Sequence, residues 1–465
     1  MGSFGTLNTA YTGLSTHARR LDVIGENIAN ASTPGYRRRR VDLSAIEGPN
    51  SIGVFSGAKR VGRGVEINSI DRVIDPLLEQ HARTEAGRAS ELNVAAAALA
   101  DLEERWNAFD NGGLNRALLD LGTAFDNLVN NPELTANRVL ALQAGETVAA
   151  EVRQAAADGR DLAVSLGERA ATLVNRANAL STGIAALDDR IRSANAAGAD
   201  AASLEDERDR LIDELVSITN ASVAYDENGG VRVAIDGYPL VAGNRTSPLS
   251  AATVADPSLP AGLSRLVITA ADGRELRLTG GDLRGTQQAA NVLIPEQLRA
   301  LDTFATDLAA AANAVHSAGE GADGGTGRNL FDAAAGALGF TVSADVAGSA
   351  DRIAVAAAGV GGYDTTAAEQ MASLIDAPDG PTTGWRNVVT NLAGLTAGTR
   401  IRADAAADAA TSADQQRIAA SGVSLDEEMT ELIAAQRSYE ASARVITTVD
   451  AMLDTLINRT GLVGR

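Results

Sequence analysis

A mainly α, elongated fold carrying a small β-rich insertion is predicted by three observations. Apolar residues recur by sevens at both ends of the chain, residues 135–197 read as helix without a turn signal, and helical periodicity gives way to strand alternation only between residues 221 and 283. At 465 residues, with 45% hydrophobic but only 3% aromatic side chains, the chain has a sizeable core to bury and must pack it largely through small residues.

At the N-terminus, Leu7, Leu14, Leu21 and Ile28 stand seven residues apart with Tyr11 and Ala18 between them, the heptad seam of a helix that requires a partner. Thr33-Pro34-Gly35 stops it, because Pro removes a backbone donor and Gly admits positive φ. Residues 41–65, rich in Gly and Ser, read as irregular or short-strand structure. Asp75-Pro76 then starts a helix, Asp as cap and Pro at the first position, that runs to about Phe109. Leu92, Leu99 and Trp106 with Ala95, Leu102 and Phe109 give it one buried stripe, and Asn111-Gly112-Gly113 closes it. A shorter helix over 114–129 ends at Asn130-Asn131-Pro132. In the long helix that follows, Leu166, Leu173, Leu180 and Leu187 recur by sevens beside Ala170, Ala177, Ile184 and Ile191, a stripe that reads as intramolecular core. Gly198 marks a hairpin, and Leu204, Leu211 and Ile218 carry the return helix.

Val223 and Tyr225, then Val231, Val233 and Ile235, alternate around Asn228-Gly229-Gly230, which predicts a β-hairpin. Helix resumes at Pro295, with Leu298, Leu301, Phe304, Leu308 and Val315 on one face, and residues 319–328 form a Gly-rich loop. The Ala-rich run 366–420 is expected to be helical in its second half. In the last helix Leu425, Leu432, Tyr439, Ile446 and Leu453 form one heptad series with Met429, Ala443 and Ile457 beside it and Leu456 near its end. Asp426, Glu427 and Glu428 occupy its first turn, where the helix dipole favours negative charge.

The two terminal helices are expected to pair as a coiled coil. Residues 1–45 with 420–465 would then form a terminal assembly domain, 46–220 with 284–419 a long helical-bundle middle domain, and 221–283 an outer β-rich domain. Narrow seams of this kind stay partly exposed in a monomer, which points to polymerisation.

A formal net charge of −20 opposes contact with nucleic acid or an anionic membrane surface. With no cysteine there is no disulfide, thiolate metal site or cysteine nucleophile. Residues 1–18 lack the continuous apolar core of a cleaved secretory signal, and no apolar run is long enough for membrane insertion. His17, His81 and His316 lack paired metal-ligand spacing, so no metal or other cofactor is expected, and His316 reads as a structural hydrogen-bonding group. The Gly-rich loop has neither the Lys and Ser/Thr of a phosphate loop nor the spaced carboxylates of a calcium loop. Arg37-Arg38-Arg39-Arg40 reads as a solvated charged face that compensates the acidic remainder and extends to subunit contacts, with a nucleic-acid or export patch as the sharper alternative, and no catalytic residue stands out.

Residues 26–36, with Asn27, Asn30, Thr33, Pro34, Gly35 and Tyr36 as their markers, resemble the N-terminal signature of the flagellar axial family of rod, hook and hook-associated proteins. The run Ser421-Gly422-Val423-Ser424-Leu425-Asp426-Glu427-Glu428-Met429, continuing through Gln436, Tyr439, Ala443 and Arg444 to Leu456-Ile457-Asn458, resembles that family's C-terminal module. Between them, Asn131-Pro132 with Ala136, Asn137 and Arg138, the hairpin around Gly229-Gly230 with Pro239-Leu240-Val241, and the series Asn313, His316, Gly319, Asp323, Gly324, Gly327 and Phe331 are similar to the hook-filament junction branch. The resemblance implies a non-enzymatic subunit of the extracellular flagellum, exported by the type III flagellar apparatus without a cleaved signal peptide. It implies a homo-oligomeric ring with hook protein on one side and the next hook-associated protein or filament on the other, and a cytoplasmic export chaperone on the C-terminal helix. A hook or distal rod subunit is the alternative within the family, and an enzyme such as a wall hydrolase inserted between the terminal modules is the alternative outside it.

Overall fold

In the computed structural model, which describes residues 3–46, 62–107, 113–226, 229–361, 363–455 and 457, the chain is mainly α-helical with a smaller β-rich region, as its periodicity predicts. Helix α1 (Ser3–Ala29) ends in a turn where Gly35 takes a φ of +82°, a conformation that explains glycine after Pro34. Strands β1 (Arg39–Ala45) and β2 (Val65–Arg72) pair antiparallel, Arg39 opposite Arg72 and Ala45 opposite Val65. Helix α2 (Pro76–Asn107) starts on the expected cap: Asp75 Oδ1 accepts the N–H groups of Leu77 and Leu78 at 2.9 and 3.3 Å. Its expected end at Phe109 and the closing Asn111-Gly112 lie outside the described residues, as does Asn228 of the predicted hairpin. Helices α3 (Gly113–Asn130), α4 (Thr135–Ala196) and α5 (Ala202–Thr219) follow. At 62 residues α4 is about 90 Å long, and it makes the molecule elongated.

Strands β3 (Ser222–Tyr225), β4 (Val231–Ile235), β5 (Tyr238–Ala242) and β6 (Arg245–Thr246) form one antiparallel sheet in that order, and β7 (Leu249–Ala255) with β8 (Ser264–Ala270) a separate hairpin. This region is fastened to α4 by side chains that pair with strand backbone. Asn178 exchanges two hydrogen bonds with the Leu249 backbone, at 2.8 and 2.9 Å, and Asp188 Oδ1 accepts the Val231 N–H at 3.1 Å. Asp188 is fully buried and pairs with Arg208 of α5 at 2.9 Å, so its charge is compensated where it touches the strand.

Helix resumes earlier than Pro295. Helix α6 (Gly281–Gln288) runs through a π-turn over 289–293 into α7 (Ile294–Ala318). Glycines disguise α6 in the sequence, yet Gly285 is required there: a Cβ would stand 2.4 Å from the Glu91 carbonyl oxygen, because α6 lies directly on α2. Next come β9 (Gly319–Gly321), β10 (Phe331–Asp332), β11 (Thr341–Val342) and β12 (Ala354–Ala357), short strands paired β10 with β11 and β9 with β12. The Ala-rich run is helical in its first part too, as α8 (Thr366–Ile375) and α9 (Pro381–Ser421), and α10 (Leu425–Asp454) closes the chain.

The main hydrophobic core is assembled around α4 and reaches from Ala98 to Leu392. The stripe Leu166, Ala170, Ala177, Leu180, Ile184, Leu187 and Ile191 is buried within the subunit, and Leu173 is half-buried against the same core, in keeping with its reading as core. The few aromatics are concentrated here: Trp385 lies 5.9 Å from Trp106 and 5.7 Å from Phe304, and the Trp106 indole N–H donates to the Ala155 carbonyl at 3.1 Å. Among the described residues this core contains none from α1, β1, β2 or α10.

His316, at the end of α7, is 1% exposed and fully bonded: Nδ1 meets the Arg328 carbonyl at 2.8 Å, and Nε2 accepts the Ala354 N–H at 3.0 Å. The ring is therefore neutral with its proton on Nδ1, and it clamps the Gly-rich loop to β12. Burial lowers its pKa from 6.5, against a smaller upward pull from the Arg328 carbonyl. A lowered histidine contributes stability that is present above its ordinary value of 6.5 and lost as pH falls below it. Replacing His316 with Ala should cost about 2 kcal/mol at neutral pH. The loss of thermal stability on acidifying below pH 6.5 should shrink in His316→Ala, and equal pH slopes for parent and variant would contradict this reading.

Candidate functional site

Helix α1 packs along α10 and on the hairpin β1–β2. Three pairs give the direction: Gly13 faces Ser442, Arg20 pairs with Glu431, and Asn27 bonds Glu428, so the helices are antiparallel. A Cβ on Gly13 would stand only 3.1 Å from Ser442 Oγ, so glycine permits the close crossing. The buried positions on α1 are small or polar as often as apolar: Ala10, Gly13, Thr16, Val23, Ile24 and Asn27. On α10 the buried residues are Glu428, Ala435 and Val449, with half-buried Ser442 completing a strict series of sevens.

The residues singled out from the sequence flank this seam. Leu7, Leu14, Ala18, Leu21 and Ile28 are half-buried on α1, while Tyr11 is 64% exposed. On α10, Leu432, Ala443, Ile446 and Leu453 are half-buried, whereas Leu425, Met429 and Tyr439 are exposed, as is Ile457 just beyond it. Leu456 lies outside the described residues. Sequence reasoning missed the inner series because Glu428, Ala435 and Ser442 carry almost no hydrophobic signal; their spacing by sevens is the only mark they leave.

In the axial signature, Thr33, Pro34 and Gly35 are exposed on the turn, where Thr33 Oγ1 bonds Asn30 Oδ1 at 3.2 Å and Asn30 Nδ2 donates to the Glu26 carbonyl at 3.0 Å. Asn27 is 1% exposed and uses its whole amide. Oδ1 accepts the Arg39 N–H at 3.0 Å and the Tyr36 hydroxyl at 2.9 Å; Nδ2 donates to the Arg39 carbonyl at 2.9 Å and to Glu428 Oε2 at 3.1 Å. Burial pushes the Tyr36 hydroxyl up to about 12, so it remains a proton donor throughout the neutral range.

The arginine run is not a solvated face. Arg37 and Arg39 are buried, because an extended chain threaded between helices presents alternate side chains to opposite sides. Arg37 pairs with Glu79 of α2 at 2.6 Å. Arg38 turns the other way, reaching Glu427 and Glu428 of α10 at 2.7 Å each. Arg39 meets Glu26 of α1 at 2.6 Å and Asp206 of α5 at 3.7 Å, and Arg40 is exposed opposite Asp71. Arg72 extends the network to Glu205, Asp206 and Asp209 of α5 at 2.7 to 2.9 Å. Among the described residues no cluster of His, Cys, Asp or Glu could hold a metal, and no helix is long and apolar enough to cross a membrane.

Asn27→Ala should leave the Arg39 backbone and the Tyr36 hydroxyl unpaired and weaken the α1–α10 pair by about 2 kcal/mol. Hydrogen exchange of the α1 amides would then quicken by about thirtyfold, and Tyr36→Phe by less. Unchanged exchange in Asn27→Ala would show that the amide does not hold the pair.

Comparisons with known proteins follow this division. Residues 99–331 match the family described as flagellar hook-associated protein FlgK helical domain, which is half of the chain. Residues 7–37 match the flagella basal body rod protein family and residues 414–459 the flagellar basal body rod FlgEFG protein C-terminal family, so the paired helices carry the family signatures at both ends. The chain is 29% identical to flagellar hook-associated protein 1 of Bacillus subtilis, across all of this chain and 99% of the relative. It is 25% identical to flagellar hook-associated protein 1 of Escherichia coli, across 70% of this chain and only 59% of that longer relative. Flagellar hook protein FlgE of Treponema pallidum is 41% identical over 76 residues, 15% of this chain and 16% of the relative. The solved flagellar hook junction protein FlgK of Burkholderia pseudomallei aligns with 54% of this chain and 46% of its own, at 24% identity and a TM-score of 0.48. With half of its length in the FlgK helical-domain family and both ends in flagellar rod families, the chain belongs to the flagellar hook-associated protein family.

Proposed function

We propose that this chain polymerises through its paired terminal helices into a homo-oligomeric ring that joins the flagellar hook to the filament. A member of this family is a structural component of the bacterial flagellum and not an enzyme. The observation that carries the proposal is the number of large apolar residues left exposed on the outside of the α1–α10 pair. Phe4 and Tyr11 on α1, and Leu425, Met429, Ile433, Val445 and Met452 on α10, are exposed although the two helices are already packed together. Large apolar residues left in solvent in such number mark surfaces that a partner covers. In the ring the covering surface is the neighbouring subunit, with hook protein below and the next hook-associated protein or filament above.

The same reading includes export by the type III flagellar apparatus and a cytoplasmic chaperone that covers the exposed α10 residues beforehand. The terminal pair, residues 1–45 with 420–465, is then the assembly domain. The helical body, 46–220 with 284–419, and the β-rich part, 221–283, face outward from the ring. A hook or distal rod subunit is the second reading, favoured only by the hook-protein likeness; the match to the FlgK helical domain supports the junction instead.

Tyr11→Asp with Met429→Asp alters residues that the monomer leaves in solvent, so unfolding should shift by no more than about 0.5 kcal/mol. The same variant, supplied to cells lacking the gene, should fail to support filament growth beyond the hook. Normal filaments in that strain would show that these residues are not an assembly surface. Immunogold labelling of parent flagella should give a single band at the hook-filament boundary, and labelling along the hook or rod would favour the second reading.

A further inference from the structure

The terminal unit, α1 with α10 and the hairpin β1–β2, shares no apolar core with the long bundle: among the described residues the main core holds none of its side chains. Its backbone ties to the bundle converge on one residue. The Arg38 N–H donates to the Ser421 carbonyl at 3.0 Å, and the Arg38 carbonyl accepts the Val73 N–H at 2.8 Å. Both bonds lie where the chain itself crosses between unit and bundle, from β2 to α2 and from α9 to α10, so the backbone connection is a narrow waist. What crosses from unit to bundle on either side of that waist is charge. Arg37 reaches Glu79 on α2, and Arg39 and Arg72 reach the carboxylates of α5, all three arginine side chains being 5 to 7% exposed.

We propose that Arg37, Arg39 and Arg72 form an orientation joint: their pairs with Glu79, Asp206 and Asp209 set the angle at which the terminal unit leaves the bundle, and those with Glu79 and Asp206 do so without adding to the stability of the fold. Direction follows from geometry, since the pairs lie on two different helices and the fork of Arg72 spans three carboxylates, which constrains rotation as well as distance. The absence of net stabilisation follows from burial. Removing a pair of charges from water costs as much as or more than their attraction returns, so apolar residues of similar size are commonly equal or better for stability. Burial indeed pushes the Glu79 carboxyl up although Arg37, Arg417 and Arg83 pull it down, and Asp206 behaves likewise beside Arg72 and Arg39. A carboxyl raised in the folded state contributes stability at low pH that is lost as pH rises. Asp209 is the exception: against its own burial, Arg72, Arg208 and Arg83 hold it below its ordinary value.

The chain has no cysteine, so Asp408→Cys on α9 and Gln436→Cys on α10, both exposed, give a unique pair of sites for spin labels in the full-length protein. Double electron-electron resonance at neutral pH should give one narrow distance in the parent. Replacing Arg37 with Met together with Glu79 with Leu should widen that distribution about twofold while the thermal midpoint stays level or rises. Arg72→Lys, which keeps the charge but cannot span three carboxylates, should widen it as well and needs no repacking of the Glu79 site. A broad distribution in the parent, or distributions as narrow as the parent's in both variants, would overturn the joint. A fall in midpoint with an unchanged distance in the Met/Leu variant would show that the pair is there for stability instead.

Discussion

One buried carboxamide, that of Asn27, holds three segments of the chain at once. It takes both backbone bonds of Arg39, the Tyr36 hydroxyl and Glu428, and so joins α1 to β1 and to α10. An apolar residue at this position would pack equally well in several registers, because the inner faces of α1 and α10 are small and smooth. An amide with four fixed partners is satisfied in one register only, and every misalignment leaves buried polar groups unpaired. From this point the arginine run follows: with Arg39 pinned by its backbone between Glu26 of α1 and Asp206 of α5, Arg37 turns toward the bundle and Arg38 toward α10.

The bundle is organised on a different principle. Around α4 the helices meet through leucine, alanine and a small aromatic group at Trp106, Trp385 and Phe304, and polar groups admitted there find partners, as Asp188 with Arg208 and the Val231 N–H, and Asn178 with the Leu249 backbone. Apolar burial gives this part its stability, and hydrogen-bonded side chains fix where the β-rich region attaches. The molecule thus joins a body held by packing to a terminal unit held largely by polar geometry.

What the sequence disclosed follows the same split. Helices with long apolar repeats, α2, α4 and α10, are readable to within a few residues because their periodicity is sustained, and in α2 the Asp75 cap agrees with it. Helix α6 was hidden by Gly281 and Gly285, whose presence is dictated by close neighbours and not by local preference. The seam of the terminal pair was legible only on its outer flank, since Gly13, Ser442 and Glu428 lie inside it without any hydrophobic signal. The arginine run misled for a related reason: a charge run is usually solvated, and only the arrival of carboxylates from α1, α2, α5 and α10 makes it internal. Sequence spacing says nothing about partners that far apart.

The distance along the chain between those partners has a kinetic side. Asn27 and Glu428 are 401 residues apart, so closing α1 on α10 requires almost the entire chain to be present, more even than the long-range packing of α2 on α9 within the bundle. During synthesis α1 emerges first and waits longest, with its seam open until the last helix appears. On unfolding the order reverses, because the pair has no share in the main core to delay its release. The ends of this molecule are therefore its latest structure to form and its earliest to part, a timing fixed by where one asparagine finds its glutamate.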